Sequence, residues 1–244
     1  MRIFKKLFKQ TKKPKTKEER QELNYKIRQQ FWDNIGEVDK DVLAPLINPA
    51  TYDGTMWPDL RQCYKKLSKN DYTIVYTDGL SDEFKNSMKG DNGFEIELYV
   101  EVKDKDLKGK NTSALKLSWP MQILYKSAKK AANIERFKAH YQEHGAFHME
   151  ITGIDLPKEF VNEEGKIGVI VGIDGKHVRK KLKLASKEVY MLSVTLLTSD
   201  ELEYILKNGV EAKNEVIKLL QLQSFCNVSS IKRESVLIEE TDIE

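Results

Sequence analysis

Apolar residues recur every fourth position between residues 18 and 38: Leu23, Ile27, Phe31 and Ile35 share one face, and Gly36 is placed to end the run. This spacing predicts a helix docked on a core. Pro45, Pro49, Gly54 and Pro58 then punctuate a loop region, residues 59–69 read as a short helix, and residues 72–76 read as a strand. The clearest alternation covers residues 94–102. Phe94, Ile96, Leu98, Val100 and Val102 take one side; Glu95, Glu97, Tyr99, Glu101 and Lys103 take the other. Period two with acids at alternate positions predicts a strand with one core face and one wet face, as in an antiparallel sheet. The wet residues Glu95, Glu97, Tyr99 and Glu101 then form a candidate partner-binding face.

The next long pattern, residues 118–144, predicts a helix with Ser118 as its cap and Pro120 in its first turn. Met121, Leu124, Ala128 and Ala131 form its stripe, Ile134, Phe137 and Tyr141 continue it after a phase shift, and Gly145 stops it. Strands are expected at residues 148–154, 167–173, 177–184 and 189–197, with Asp174 and Gly175 forming a hairpin turn. Thr198 and Glu201 stand in capping-box spacing before a helix whose Leu202, Ile205 and Leu206 face inward and which Gly209 closes. A second helix to about residue 222 and a last strand at residues 235–238 complete the expectation. Unequal helices among strands favour an α+β fold with a mixed or antiparallel sheet flanked by helices.

Charge divides the chain of 244 residues. Residues 1–20 carry nine Lys/Arg against two Glu, leaving 32 basic against 36 acidic residues beyond them. The pI of about 8.6 therefore reports the tail, and nucleic acid is not an expected partner. Residues 1–17 place Ile3, Phe4, Leu7 and Phe8 among lysines, as either a disordered basic arm or a weak contact for anionic membrane; residues 18–240 form one domain. No stretch reaches the length of a membrane span, no secretory signal is visible, and Cys63 and Cys226 stand apart from any CxxC pair, which fits the cytoplasm.

Chemistry-bearing motifs are sparse. His140, His144 and His148 stand four apart, but Gly145 interrupts the helix and Tyr141 occupies the position where a zincin has glutamate, so no metal is expected. The chain has no GxSxG elbow, P-loop or GxGxxG, and neither a catalytic residue nor a cofactor is expected.

Three segments in order carry a resemblance: YTDGLSDEF at 76–84 with NGFEIELYVEV at 92–102, then SWPMQILYKSAKKAANIERFKAHYQEHGAF at 118–147, then LLTSDELEYILKNG at 196–209. Together they resemble the suppressor-of-fused-like domain, in its short bacterial form. The matching positions are Thr77, Asp78, Gly79, Leu80, Ser81, Gly93, Glu95, Glu97, Leu98, Trp119, Gly145, Thr198, Glu201, Leu202 and Gly209. Most have a scaffold reading: a turn at Asp78 and Gly79, a strand start at Gly93, a core anchor at Trp119, a cap at Thr198 and Glu201. The resemblance implies a non-enzymatic protein-binding module, with the bacterial members similar to immunity proteins that neutralise polymorphic toxins. A membrane-peripheral adaptor and an unrecognised metal-dependent hydrolase are the alternatives.

Overall fold

The computed structural model describes residues 14, 16–44, 63–84, 92–103, 107, 110–223 and 225–237, with only the backbone of Thr112 and Ser113. The expected basic arm, apart from its last residues, and the Pro- and Gly-punctuated region lie outside the described residues. Helix α1 (Lys17–Asp33) opens on a capping box, Glu19 N–H donating to Thr16 Oγ1 at 3.2 Å and Thr16 N–H to Glu19 Oε2 at 3.4 Å. Strands β1 (Glu37–Val38), β2 (Cys63–Lys69), β3 (Tyr72–Asp78) and β4 (Ile96–Val102) follow, then helices α2 (Thr112–Lys116), α3 (Trp119–Asn133) and α4 (Phe137–His144). The remainder comprises β5 (Phe147–Thr152), a 3-10 turn (Lys158–Phe160), β6 (Lys166–Val171), β7 (Lys181–Lys183), β8 (Glu188–Leu196), α5 (Ser199–Leu222) and β9 (Val228–Ser229).

The strands form one mixed sheet in the order β1-β2-β3-β4-β8-β6-β5, with β7 also paired to β8 and β9 to β4. The β4–β8 and β4–β9 pairs are parallel and the others antiparallel. The α+β expectation holds. On one face Met121, Ile123, Leu124 and Ala128 of α3 pack on Ile96, Leu98 and Val100 of β4 and on Val75 of β3. On the other, Ile27, Phe31 and Trp32 of α1 meet Leu67, Ile74, Tyr76, Tyr99 and Met191. Trp32 stacks on Tyr76 with ring centroids 4.0 Å apart. A third cluster sets Ile205, Val216 and Leu220 of α5 against Ile170 and Ile173.

Covering both faces overturns the wet side of β4. Glu97, Tyr99 and Glu101 are buried as deeply as their apolar neighbours, because α1 and the chain around Asn227 lie over the face that alternation assigns to water. Three of the four residues of the expected acidic face are thus not displayed.

Other expectations change for similar reasons. Residues 63–69 are strand β2, not helix, since seven consecutive pairs with β3 outweigh a neutral local preference. The helix expected over residues 118–144 is two helices, broken where the stripe shifts phase; Arg136 takes a left-handed conformation at φ 56°. Ser118 precedes α3 but gives no side-chain cap, its hydroxyl donating to Leu115 O at 2.6 Å. Asp174 and Gly175 make no hairpin: β6 pairs with β5 and β8, while β7 is a three-residue strand on β8. Gly209 breaks α5 as expected, at φ 74°, but Leu206 is exposed. Residues 235–237 are irregular, because Val236 N–H and Arg233 are drawn to Glu201.

Candidate functional site

The TDGLSDE segment closes over Glu97. Its carboxylate accepts from Gly79 N–H at 3.1 Å, Ser81 N–H at 3.0 Å, Ser81 Oγ at 2.6 Å and Thr77 Oγ1 at 2.6 Å. Thr77 Oγ1 in turn accepts from Leu98 N–H at 2.9 Å, joining the turn to the middle of β4. Gly79 holds φ 140°, a conformation that L side chains rarely adopt, which aims its amide at the carboxylate. Leu80 is buried in the α3-side core, and its carbonyl accepts from Phe94 N–H at 2.9 Å.

Helix α1 supplies the opposite charge. Arg28 donates to Asp78 at 2.6 Å, to Asp82 at 2.8 Å and to Ser81 Oγ at 3.3 Å, with Glu97 at 3.8 Å. One turn earlier Asn24 accepts from Ala185 N–H at 2.8 Å, and two turns earlier Arg20 makes a bidentate pair with Glu83 at 2.8 and 2.9 Å. Lys65 completes the cluster on Asp78 at 2.8 Å. Burial pushes the Glu97 carboxyl up to about 7, opposed by Arg28 and reinforced by Asp78. Burial acts the same way on Asp78, yet Arg28 and Lys65 hold it below its ordinary value. With every group turned onto another protein group, this cluster fixes the turn to α1. Sequence reading missed Arg20 and Arg28; their signal is a polar i, i+4, i+8 ladder, Arg20-Asn24-Arg28, beside the apolar stripe.

The remaining motif positions are dispersed. Gly93 and Glu95 both have positive φ, at 53° and 57°, just before β4; Glu95 pairs with Lys187 at 2.7 Å and with Lys138. Glu101 pairs with half-exposed His177 and accepts from Asn227 at 2.8 Å, and Asn227 reaches Tyr99 Oη at 3.5 Å. Trp119 begins α3 and packs on its core, and Gly145 ends α4 at φ 69°. Thr198 N–H donates to Glu201 at 2.9 Å, and buried Glu201 also holds Arg233 and Val236 N–H; Leu202 is buried behind it. His140 and His144 lie side by side on α4, ring centroids 4.7 Å apart, while His148 sits on β5. Among the described residues no group of three or more His, Cys, Asp or Glu is placed to hold a metal.

Among the described residues strand β5 ends the sheet, with no strand paired to its outer side. Gly168 O accepts from Leu197 N–H at 2.9 Å and Gly172 N–H donates to Ser193 O at 2.8 Å, so the even-numbered backbone groups of β6 face β8. The odd-numbered groups of Ile167, Val169 and Val171 therefore face β5, where they meet Ile151, Met149 and Phe147. His148 and Glu150 consequently point their backbone groups away from the sheet. Two lysines reach that edge: Lys213 Nζ donates to Ala146 O at 2.7 Å and Lys130 Nζ to Glu150 O at 2.6 Å. Burial lowers the pKa of both Lys213 and His148. Among the described residues, the outward N–H and carbonyl of His148 and the outward N–H of Glu150 have no main-chain partner, while the two flanking carbonyls are taken by the lysines.

A sheet covered by helices on both faces, a turn clasped by an arginine from the first helix, and an open terminal strand define an α+β domain built on main-chain and buried polar contacts. The chain belongs to the suppressor-of-fused family: the model described as Suppressor of fused protein (SUFU) matches residues 59–234. Two solved structures are similar. "The Sufu-Fu complex crystal structure" matches at 14% identity and TM-score 0.50, covering 89% of this chain and 92% of that one. A crystal structure of Drosophila Suppressor of Fused matches at 13% identity and TM-score 0.44, covering 88% of this chain and 50% of that one. At these identities the likeness concerns the fold. No curated protein sequence matches the chain.

Proposed function

We propose that this chain is a non-catalytic, cytosolic protein-binding module that neutralises a toxin domain by covering it, with the outer edge of β5 as its docking surface. The observation that carries this reading is the outward backbone of His148 and Glu150 on a terminal strand. An extended segment added there would gain main-chain hydrogen bonds, and side-chain pockets would supply selectivity. Family membership, and the similarity to a protein solved as a Sufu–Fu complex, support protein binding as the activity. Among the described residues no helix is long and apolar enough to cross a membrane.

The test is capture of toxin domains encoded beside this chain, comparing wild type with His148→Pro. Proline removes an outward N–H and is tolerated at a sheet edge, so the fold should persist by circular dichroism while the complex is lost. A complex that survives the substitution moves the docking surface elsewhere, and failure to bind or protect against any neighbouring toxin defeats the immunity role.

A further inference from the structure

The lysines at the β5 edge specify the chemistry of the strand that joins it. Lys213 approaches from α5 and Lys130 from α3, elements that pack in different core clusters, and each ammonium is satisfied by a main-chain carbonyl alone. No carboxylate lies within ion-pair distance of either among the described residues. Glu150, the nearest acid on the strand, is turned to Lys166 at 2.8 Å. A third lysine, Lys126, stands where a Cβ on Gly153 would come within 3.2 Å of its Nζ. The edge is therefore locally basic on a mildly acidic body.

A neutral strand docking here would take the carbonyls of Ala146 and Glu150, returning the exposed Lys130 ammonium to water and leaving that of the largely buried Lys213 without its partner. A strand bearing carboxylates would replace both ammonium–carbonyl bonds at once, its N–H groups taking the carbonyls while its acids take the lysines. Ala146, just before β5, and Glu150 within it are four residues apart, about 13 Å at strand rise. Because the lysines come from α3 and α5, on opposite sides of the sheet, and side chains of a strand alternate, the matching acids fall at an odd separation, three or five residues.

We propose that the β5 edge selects an extended acidic segment of a protein partner, with Asp or Glu at i and i+3 or i+5 engaging Lys130 and Lys213. This rests on strand addition at β5 as the mode of binding. The lysines then act as a filter, rejecting neutral and basic strands and admitting an acidic one.

The experiment is selection of random ten-residue peptides, displayed on phage, against the purified full chain, followed by affinity measurement of the enriched peptides as synthetic chains. The expected result is enrichment of two acids at odd spacing, with Lys130→Gln and Lys213→Gln together weakening binding about tenfold and erasing the preference over versions with Asn or Gln in place of the acids. Lys130→Gln alone, at an exposed side chain, serves as the variant that leaves the fold undisturbed. Enriched peptides that lack acids but still lose binding in His148→Pro overturn charge selection and keep strand addition. Peptides insensitive to His148→Pro, or no enrichment either with the wild-type chain or with a chain carrying Glu239→Gln, Glu240→Gln and Asp242→Asn, overturn strand addition itself. If peptides are captured only after Glu239→Gln, Glu240→Gln and Asp242→Asn are introduced, the occupant is the chain's own acidic end, which overturns the external partner.

Discussion

Arg28 on α1 and Asp78 at the end of β3, fifty residues apart in sequence, meet at 2.6 Å in a site where neither side chain reaches solvent appreciably. The pair anchors the first helix to the turn that covers Glu97. It also places the positive charge that Asp78, Asp82 and Glu97 share.

Removing that charge should be severe. Arg28→Met leaves three buried acids with Lys65, on Asp78, as the remaining cation of the cluster and should destabilise the fold by about 3–5 kcal/mol in urea unfolding, with Arg28→Lys intermediate because an ammonium cannot reproduce the fork. A loss below about 1 kcal/mol in Arg28→Met would show that the cluster relaxes without its cation.

Glu97 sets a pH dependence of defined sign. Its carboxyl titrates at about 7 in the fold against 4.5 ordinarily, so folding favours the protonated form. Its contribution to stability is fully present below about 4.5 and is lost as pH rises through 7, by at most about 3 kcal/mol. Unfolding free energies at pH 5.5 and pH 8 should differ in that direction. Glu97→Gln should flatten the difference, and an unchanged slope would assign it to another group.

Gly172 marks a contact that no other residue permits. It holds φ 92°, and a Cβ there would lie 2.2 Å from Cε2 of the Tyr141 ring. Gly172→Ala should cost about 2–4 kcal/mol, read as a shifted denaturation midpoint with an unchanged slope.

On α5 two leucines four residues apart should behave differently. Leu202 is buried against Gly168, so Leu202→Ala should cost about 2–5 kcal/mol. Leu206 is exposed, so Leu206→Ala should stay within about 0.5 kcal/mol. Equal losses in thermal unfolding would contradict the observed orientation of the helix.

Buried Glu201 ties the start of α5 to the segment that follows β9, through Arg233 and Val236 N–H. Arg233→Met should speed amide exchange at residues 233–237 while leaving β4 and β8 protected. Uniform acceleration would mean that this segment unfolds only with the whole domain.

The sequence by itself determined the elements whose patterns are local. The four-residue stripe of α1, the alternation of β4, the Thr198–Glu201 cap and the breaks at Gly145 and Gly209 follow from backbone sterics and side-chain periodicity, and the three ordered motifs identified the family. Tertiary structure decided what covers each face. Alternation distinguishes two sides of a strand but not water from a second layer, so Glu97 and Glu101 read as solvent-facing until α1 and Asn227 are placed over them. The β5 edge was equally invisible, because among the described residues β5 has an unpaired side only by lying last in the sheet, and Lys130 and Lys213 meet it from helices 83 residues apart in sequence. Periodicity is set by neighbours along the chain, whereas burial and edge exposure are set by strand order and layer packing, which depend on contacts between distant residues.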